Sequence, residues 1–347
     1  MLAQIGYQSD WFDVLQNDFV IRAIVGGSVV AIAASIVGYF VVIRRDSFAA
    51  HALAHIGFPG ATGAVLIGAP VTLGLIVFCV GGALAIGALG NKAAQRETTT
   101  GTVLAFATAL GVLFASMTTR SSNNVTSVLF GSLLTISTSQ LVQFVLISTL
   151  AIGVIALIAR PLLFSSINPQ VAQARGVAVS ALNIVFMLTL AIVIAVAIQV
   201  VGTLLLFALI VTPASAALMI TARPTRAISV AALMAVSSVI VGVILATMFN
   251  LPPSFAIVTI AVGVWLAVTI VTKLAEHRQH RSDLGDVHAT VAQPVGAEVK
   301  QHVSEPGMTT QEEARSIDSA LLGIGAVSNA LSSAVKRSKL IDTLDGK

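Results

Sequence analysis

Acidic side chains are scarce in the long apolar stretches of this 347-residue chain. Residues 1–273 hold five of them (Asp10, Asp13, Asp18, Asp46 and Glu97), and none lies in the interior of an apolar run. Carriers driven by protons or sodium commonly place Asp or Glu inside their spans and often show inverted repeats. Neither feature is found here, so an ion-coupled secondary carrier stands as the alternative reading. Cysteine is represented once, by Cys79, so no disulfide can form within the chain, and Cys79 reads as a small packing residue. No G-x-x-x-x-G-K-[ST] segment occurs, so the chain has no P-loop to cradle ATP phosphates and is not itself expected to be an enzyme. Aromatic residues make up only 5% and do not interleave with a basic stripe, which argues against nucleic acid as a partner.

What is present is hydrocarbon. The chain is 56% hydrophobic and 10% charged, with a mean hydropathy of +0.95, far from the balance of a soluble domain. The first 273 residues carry eleven basic residues against five acidic, whereas the last 74 carry eight against ten. This division predicts a transmembrane domain over 1–273 and a polar cytoplasmic tail over 274–347. No cleavable signal is expected, because residues 1–20 lack Lys and Arg and contain three aspartates.

A hydrocarbon core of about 30 Å takes about 20 apolar helical residues per crossing. Runs near 20–43, 47–69, 71–90, 99–119, 139–159, 178–199, 202–221, 227–249 and 254–273 meet that need. The expected fold is therefore all-α, a polytopic membrane bundle of about nine transmembrane helices. Counting all nine places Arg44, Arg45, Lys92, Arg96, Arg160, Arg175, Arg223, Arg226 and Lys273 on one side. By the positive-inside rule the N-terminus is outside and the C-terminus cytoplasmic, across a plasma membrane.

Other segments do not read as plain spans. Residues 11–22 mix Trp11, Phe12, Leu15 and Phe19 with aspartates, as an amphipathic entry helix does. Residues 125–134 are too short to cross and fit a partial, protein-buried helix. In RPLLFSSINPQVAQARG (160–176), Asn168 before Pro169 predicts an N-cap with proline at the first helical position. That segment is either an interfacial loop helix or a docking surface for a cytoplasmic partner. Recurrent glycines such as Gly26, Gly27, Gly57, Gly60 and Gly63 predict close helix contacts, and Pro213 predicts freed backbone carbonyls. In the tail, His277, His280 and His288 lie in a solvated linker, and Thr310-x-x-Glu313 resembles a capping box before a possible amphipathic helix.

The feature richest in chemistry is a pair of histidines, His51 and His55, within the second apolar stretch. At a spacing of four on a helix, both imidazoles leave one face and can hold one divalent cation between them. They can equally be interior or interfacial histidines, hydrogen-bonded and inert. No acidic residue is near in sequence to complete a site.

VVIRRDSFAAHALAHIGFPGATGAVLIG (41–68), VVGTLLLFALIVTPASAALM (200–219) and the Asn168-Pro169 loop resemble the manganese, zinc and iron permeases of ATP-binding-cassette importers. The likeness runs over roughly 12–273 and leaves out the tail. It implies a type II ABC-importer-like permease that pairs with a second copy of itself. It also implies a cytoplasmic ATPase subunit, an extracellular metal-binding protein, and Zn2+ or Mn2+, possibly iron, as transported substrate with no resident cofactor. Members of this family typically carry an aspartate and a histidine four residues apart in the second span. His55 matches that histidine, and His51 stands at the aspartate position. Two imidazoles without a carboxylate tilt the donor set toward zinc. The resemblance also makes the 160–176 segment the helix that couples to the ATPase, with Asn168, Pro169, Gln170 and Gln173 as contact residues. Asn168 and Gln170 stand where acidic residues are common.

Overall fold

In the computed structural model the described residues are 14, 16–89, 93–117 and 128–275; among them there are helices and no strands. In order they are α1 (Asp18–Ile43), α2 (Ser47–Ile67), α3 (Val71–Leu89), α4 (Ala93–Met117), α5 (Thr138–Ile167), α6 (Pro169–Ala174), α7 (Val179–Val201), α8 (Thr203–Ile220) and α9 (Pro224–Phe249). A tenth, α10, runs Pro253–Ala275. Eight of these are long and apolar enough to cross a membrane, and α8, at 18 residues, is the shortest of the long helices. At about 1.5 Å per residue its 18 residues still reach about 27 Å. Each of the nine expected crossings thus coincides with one helix.

Contacts gather Met1–Thr272 into one unit and Lys273–Lys347 into another. The tail's linker histidines and its Thr310–Glu313 box lie outside the described residues, as do Trp11 and Phe12 of the expected entry helix. The end of that entry segment, from Asp18 to Arg22, is already the first turn of α1.

The buried helices are α1, α2 and α7, and they make the core. Tyr39 and Phe40 of α1 meet edge to face with centroids 5.2 Å apart, and Phe40 reaches Phe186 of α7 at 6.4 Å. Small residues let backbones touch where apolar driving force between helices is absent. A Cβ on Gly38 of α1 would collide with the Ile210 carbonyl of α8, and one on Gly60 of α2 with the Gly74 carbonyl of α3. Several hydroxyls in the apolar interior are bonded back to their own helices, as Ser35 Oγ donates to the Ile32 carbonyl at 2.9 Å.

Two sequence expectations change in detail. The run expected to end near 159 continues: α5 is 30 residues long and passes through Pro161 to Ile167. Its length of about 45 Å exceeds a hydrocarbon core of about 30 Å. Proline early in the added turns removes one hydrogen bond without breaking the helix, and Ser166 Oγ donates to the Leu162 carbonyl at 2.6 Å within those turns.

The described part of the 125–134 segment is a helical turn at 128–130 followed by a 3-10 turn at Leu133–Thr135. Gly131 (φ 78°) and Gly202 (φ 87°) meet there, and a Cβ on either would strike the other segment's backbone. Ser132 N–H donates to the Gln199 carbonyl at 3.1 Å, and Ser254 Oγ donates to the Phe130 carbonyl. Irregular backbone is therefore satisfied by α7 and the start of α10, as an apolar setting requires.

Candidate functional site

The turn into α2 is where the site begins. α1 ends in a Schellman motif: Arg45 N–H donates to the Val42 carbonyl at 3.1 Å and Asp46 N–H to the Val41 carbonyl at 2.9 Å. The position that glycine usually takes is filled by Arg45, with φ 57°. This reversal starts α2 at Ser47 and sets the phase of everything after it.

His51 and His55 are successive members of one face of α2, with ring centroids 4.7 Å apart and planes at 71°. Both are half-buried, whereas Ala50, Ala52, Leu53, Ala54 and Ile56 around them are buried. The imidazoles therefore occupy the one open strip of a packed helix. Phe207 of α8 stands against His51 at 5.2 Å and 82°. One turn beyond His55, Pro59 has no N–H to give to the His55 carbonyl, which leaves an oxygen acceptor next to the pair. Thr62 Oγ instead bonds the Phe58 carbonyl at 3.0 Å. Among the described residues no three His, Cys, Asp or Glu side chains gather into a metal-holding group. The pair by itself presents two imidazoles on one face, fewer side-chain donors than a closed tetrahedral site uses.

Asn168, Pro169, Gln170 and Gln173 come together as expected from their order, on the exposed hexapeptide helix α6. Asn168 Oδ1 accepts from Val171 N–H at 3.1 Å, so the side chain caps α6, with Pro169 in its first turn. Ala172 is fully buried and roots the helix, while Val171, Gln170 and Gln173 are exposed. The histidine pair and α6 are on different elements, and α6 packs against α5 and α7.

A polar cluster that sequence reading passed over joins the α1–α2 turn to the start of α7. Arg44 Nε donates to Asp46 Oδ2 at 3.0 Å, and its Nη2 donates to Asn183 Oδ1 of α7 at 2.5 Å. The same guanidinium stands 4.9 Å over the Phe186 ring. Arg44 reads in sequence as a topology signal and as part of the 41–68 resemblance, and Asn183 is not singled out there. The signal available was Asp46 two residues after Arg44, opposite charges at the seam of two apolar runs.

The model of the ABC 3 transport family matches residues 16–272, nearly the whole described body. The chain belongs to the ABC 3 transport family. As a permease of that family it is 30% identical over 249 residues to the manganese transport system membrane protein MntC of Listeria monocytogenes, covering 72% of this chain and 89% of that protein. It is 26% identical over 271 residues to a probable iron transport system membrane protein of Haemophilus influenzae, covering 76% and 98%. Among solved structures it is similar to PsaBC from Streptococcus pneumoniae in complex with Fab. That likeness has a TM-score of 0.68 and 26% identity, over 77% of this chain and 95% of the other.

Proposed function

We propose that this permease is the membrane subunit of an ATP-driven importer of a divalent transition metal, manganese or zinc, with iron a further candidate cargo. His51 and His55 make the contact with the ion as it passes. The observation that carries this reading is the pair itself: two imidazoles 4.7 Å apart on the half-open strip of α2, in a permease whose relatives are named for manganese and iron. Two borderline nitrogen donors fit zinc better, and the relatives' names favour manganese. The pair supplies only two side-chain donors, so the coordination sphere stays incomplete, which favours release along a path.

In the same reading the exposed α6 docks on a cytoplasmic ATPase, and the chain works as a pair of copies fed by an extracellular metal-binding protein. The cationic turns, α1–α2 with Arg44 and α8–α9 with Arg223, face the cytoplasm of a bacterial inner membrane, with the N-terminus outside and the tail over 274–347 inside. Replacing His51 and His55 together by alanine is expected to cut Mn2+ and Zn2+ uptake by about tenfold or more at unchanged membrane abundance. Uptake equal to that of the native chain would sink the assignment. Purification of the native chain is expected to bring an ATP-hydrolysing subunit with it.

A further inference from the structure

We infer that the hydrogen bond between Asn183 and Arg44 carries the movement of α6 to the histidine pair. The inference rests on the proposed function above, in which α6 meets the ATPase and His51 and His55 meet the ion. Asn183 is then a positioning residue, touching neither ion nor nucleotide.

The connection from α6 to α7 is short and bonded. Gly176 turns through the left-handed region at φ 82°, its N–H donates to the Gln173 carbonyl at 2.9 Å, and Val177 N–H returns to the Ala172 carbonyl at 3.0 Å. These bonds cap α6, and only residues 175–178 separate it from α7, whose Val179 N–H donates to the Val177 carbonyl at 2.9 Å. Displacement of α6 therefore reaches the first turns of α7. Asn183 lies there, four residues after Val179 opens α7, and Phe186 follows on the same face. Both residues grip one guanidinium, Asn183 by the 2.5 Å bond from Nη2 and Phe186 by its ring.

The other end of the grip leads to the ion path. Arg44 and Asp46 have side chains only 7% and 5% exposed, so their 3.0 Å ion pair is nearly out of water. A buried charge holds its partners in one geometry because any slip leaves it unpaired. Asp46 precedes α2, and its carbonyl accepts from Ala50 N–H at 3.0 Å in the first turn. His51 follows Ala50 directly, and His55 one turn later. Apolar contacts between α7 and α2 can slide without loss of register, whereas a directional bond to a buried cation cannot. The polar link therefore transmits position where the greasy interface would not.

Asn183→Ala removes the acceptor and leaves the Arg44–Asp46 pair whole, which makes it the variant to test. The native chain and the variant would be reconstituted in vesicles with the ATPase subunit and the metal-binding protein, using Mn2+ and Zn2+ as cargo. The reading is ATP hydrolysed per ion delivered. Asn183→Ala is expected to raise that ratio at least about fivefold, with the yield of assembled complex unchanged. Asn183→Asp, which keeps an acceptor oxygen for the same Nη2–H, is expected to return it to within about twofold of native. A native-like ratio in Asn183→Ala overturns the inference. So does a loss of transport matched by loss of assembled complex, or an Asn183→Asp variant as uncoupled as the alanine. If the native chain itself shows no ATPase-dependent uptake, the proposed function fails. A coupled native chain with a coupled Asn183→Ala overturns the link alone.

Discussion

An imidazole at position 51 presents a nitrogen donor where a carboxylate would present oxygen, and it stands against the Phe207 ring. Nitrogen donors hold zinc more tightly than manganese by the ordinary order of affinities, while carboxylate suits manganese. His51→Asp restores an oxygen donor one turn from His55, so the variant is expected to gain manganese uptake relative to zinc. Competitive uptake of the two ions by native and variant membranes checks this. A constant ratio would place selection in the delivery protein. The same residue scale holds the one tight ionic contact of the turn, Arg44 with Asp46, whose removal would strand a buried charge.

Among elements, α6 shows how little chain is needed to make an exposed helix. One capping side chain, one proline and one buried alanine hold six residues in helical form. Its exposed glutamines are then free for recognition. Placing lysine at both Gln170 and Gln173 is expected to release the ATPase or to uncouple hydrolysis from uptake, read by co-purification and by ATP consumed per ion. Retention of a fully coupled complex would contradict the assignment of α6. Close helix contact makes a different prediction for α1. Gly38→Val puts carbon into the Ile210 carbonyl, backbone that cannot step aside, and overpacking of this kind costs about 1–3 kcal/mol. A lower Tm of the purified protein is expected, with no change in ion preference among the molecules that fold.

Orientation is a property of the whole molecule, and the single cysteine makes it measurable. Cys79 is buried, so its thiol is shielded from labelling reagents. A cysteine introduced at Ala69, in the turn from α2 to α3, is expected to react with an impermeant maleimide on intact cells. One introduced at Gln170 is expected to react only after the membrane is opened. The reverse pattern would invert the topology and put α6 out of reach of a cytoplasmic ATPase.

Apolar run length was enough to locate nine long helices among the described residues, because hydrocarbon demands complete backbone bonding whatever the neighbours are. The spacing of His51 and His55 determined their shared face for the same local reason, since a helix repeats every 3.6 residues. Asn168 before Pro169 determined the start of α6, since capping is decided within four residues. Only the tertiary structure decided that α5 runs on to Ile167, that Gly131 meets Gly202, that Phe207 walls His51, and that Arg44 reaches Asn183. Those contacts join residues up to 156 positions apart, between His51 and Phe207, and a uniformly apolar sequence carries no mark of which helix faces which. Partners in such a bundle are selected by where small residues let backbones approach and where a buried charge finds its acceptor, and both are facts of packing.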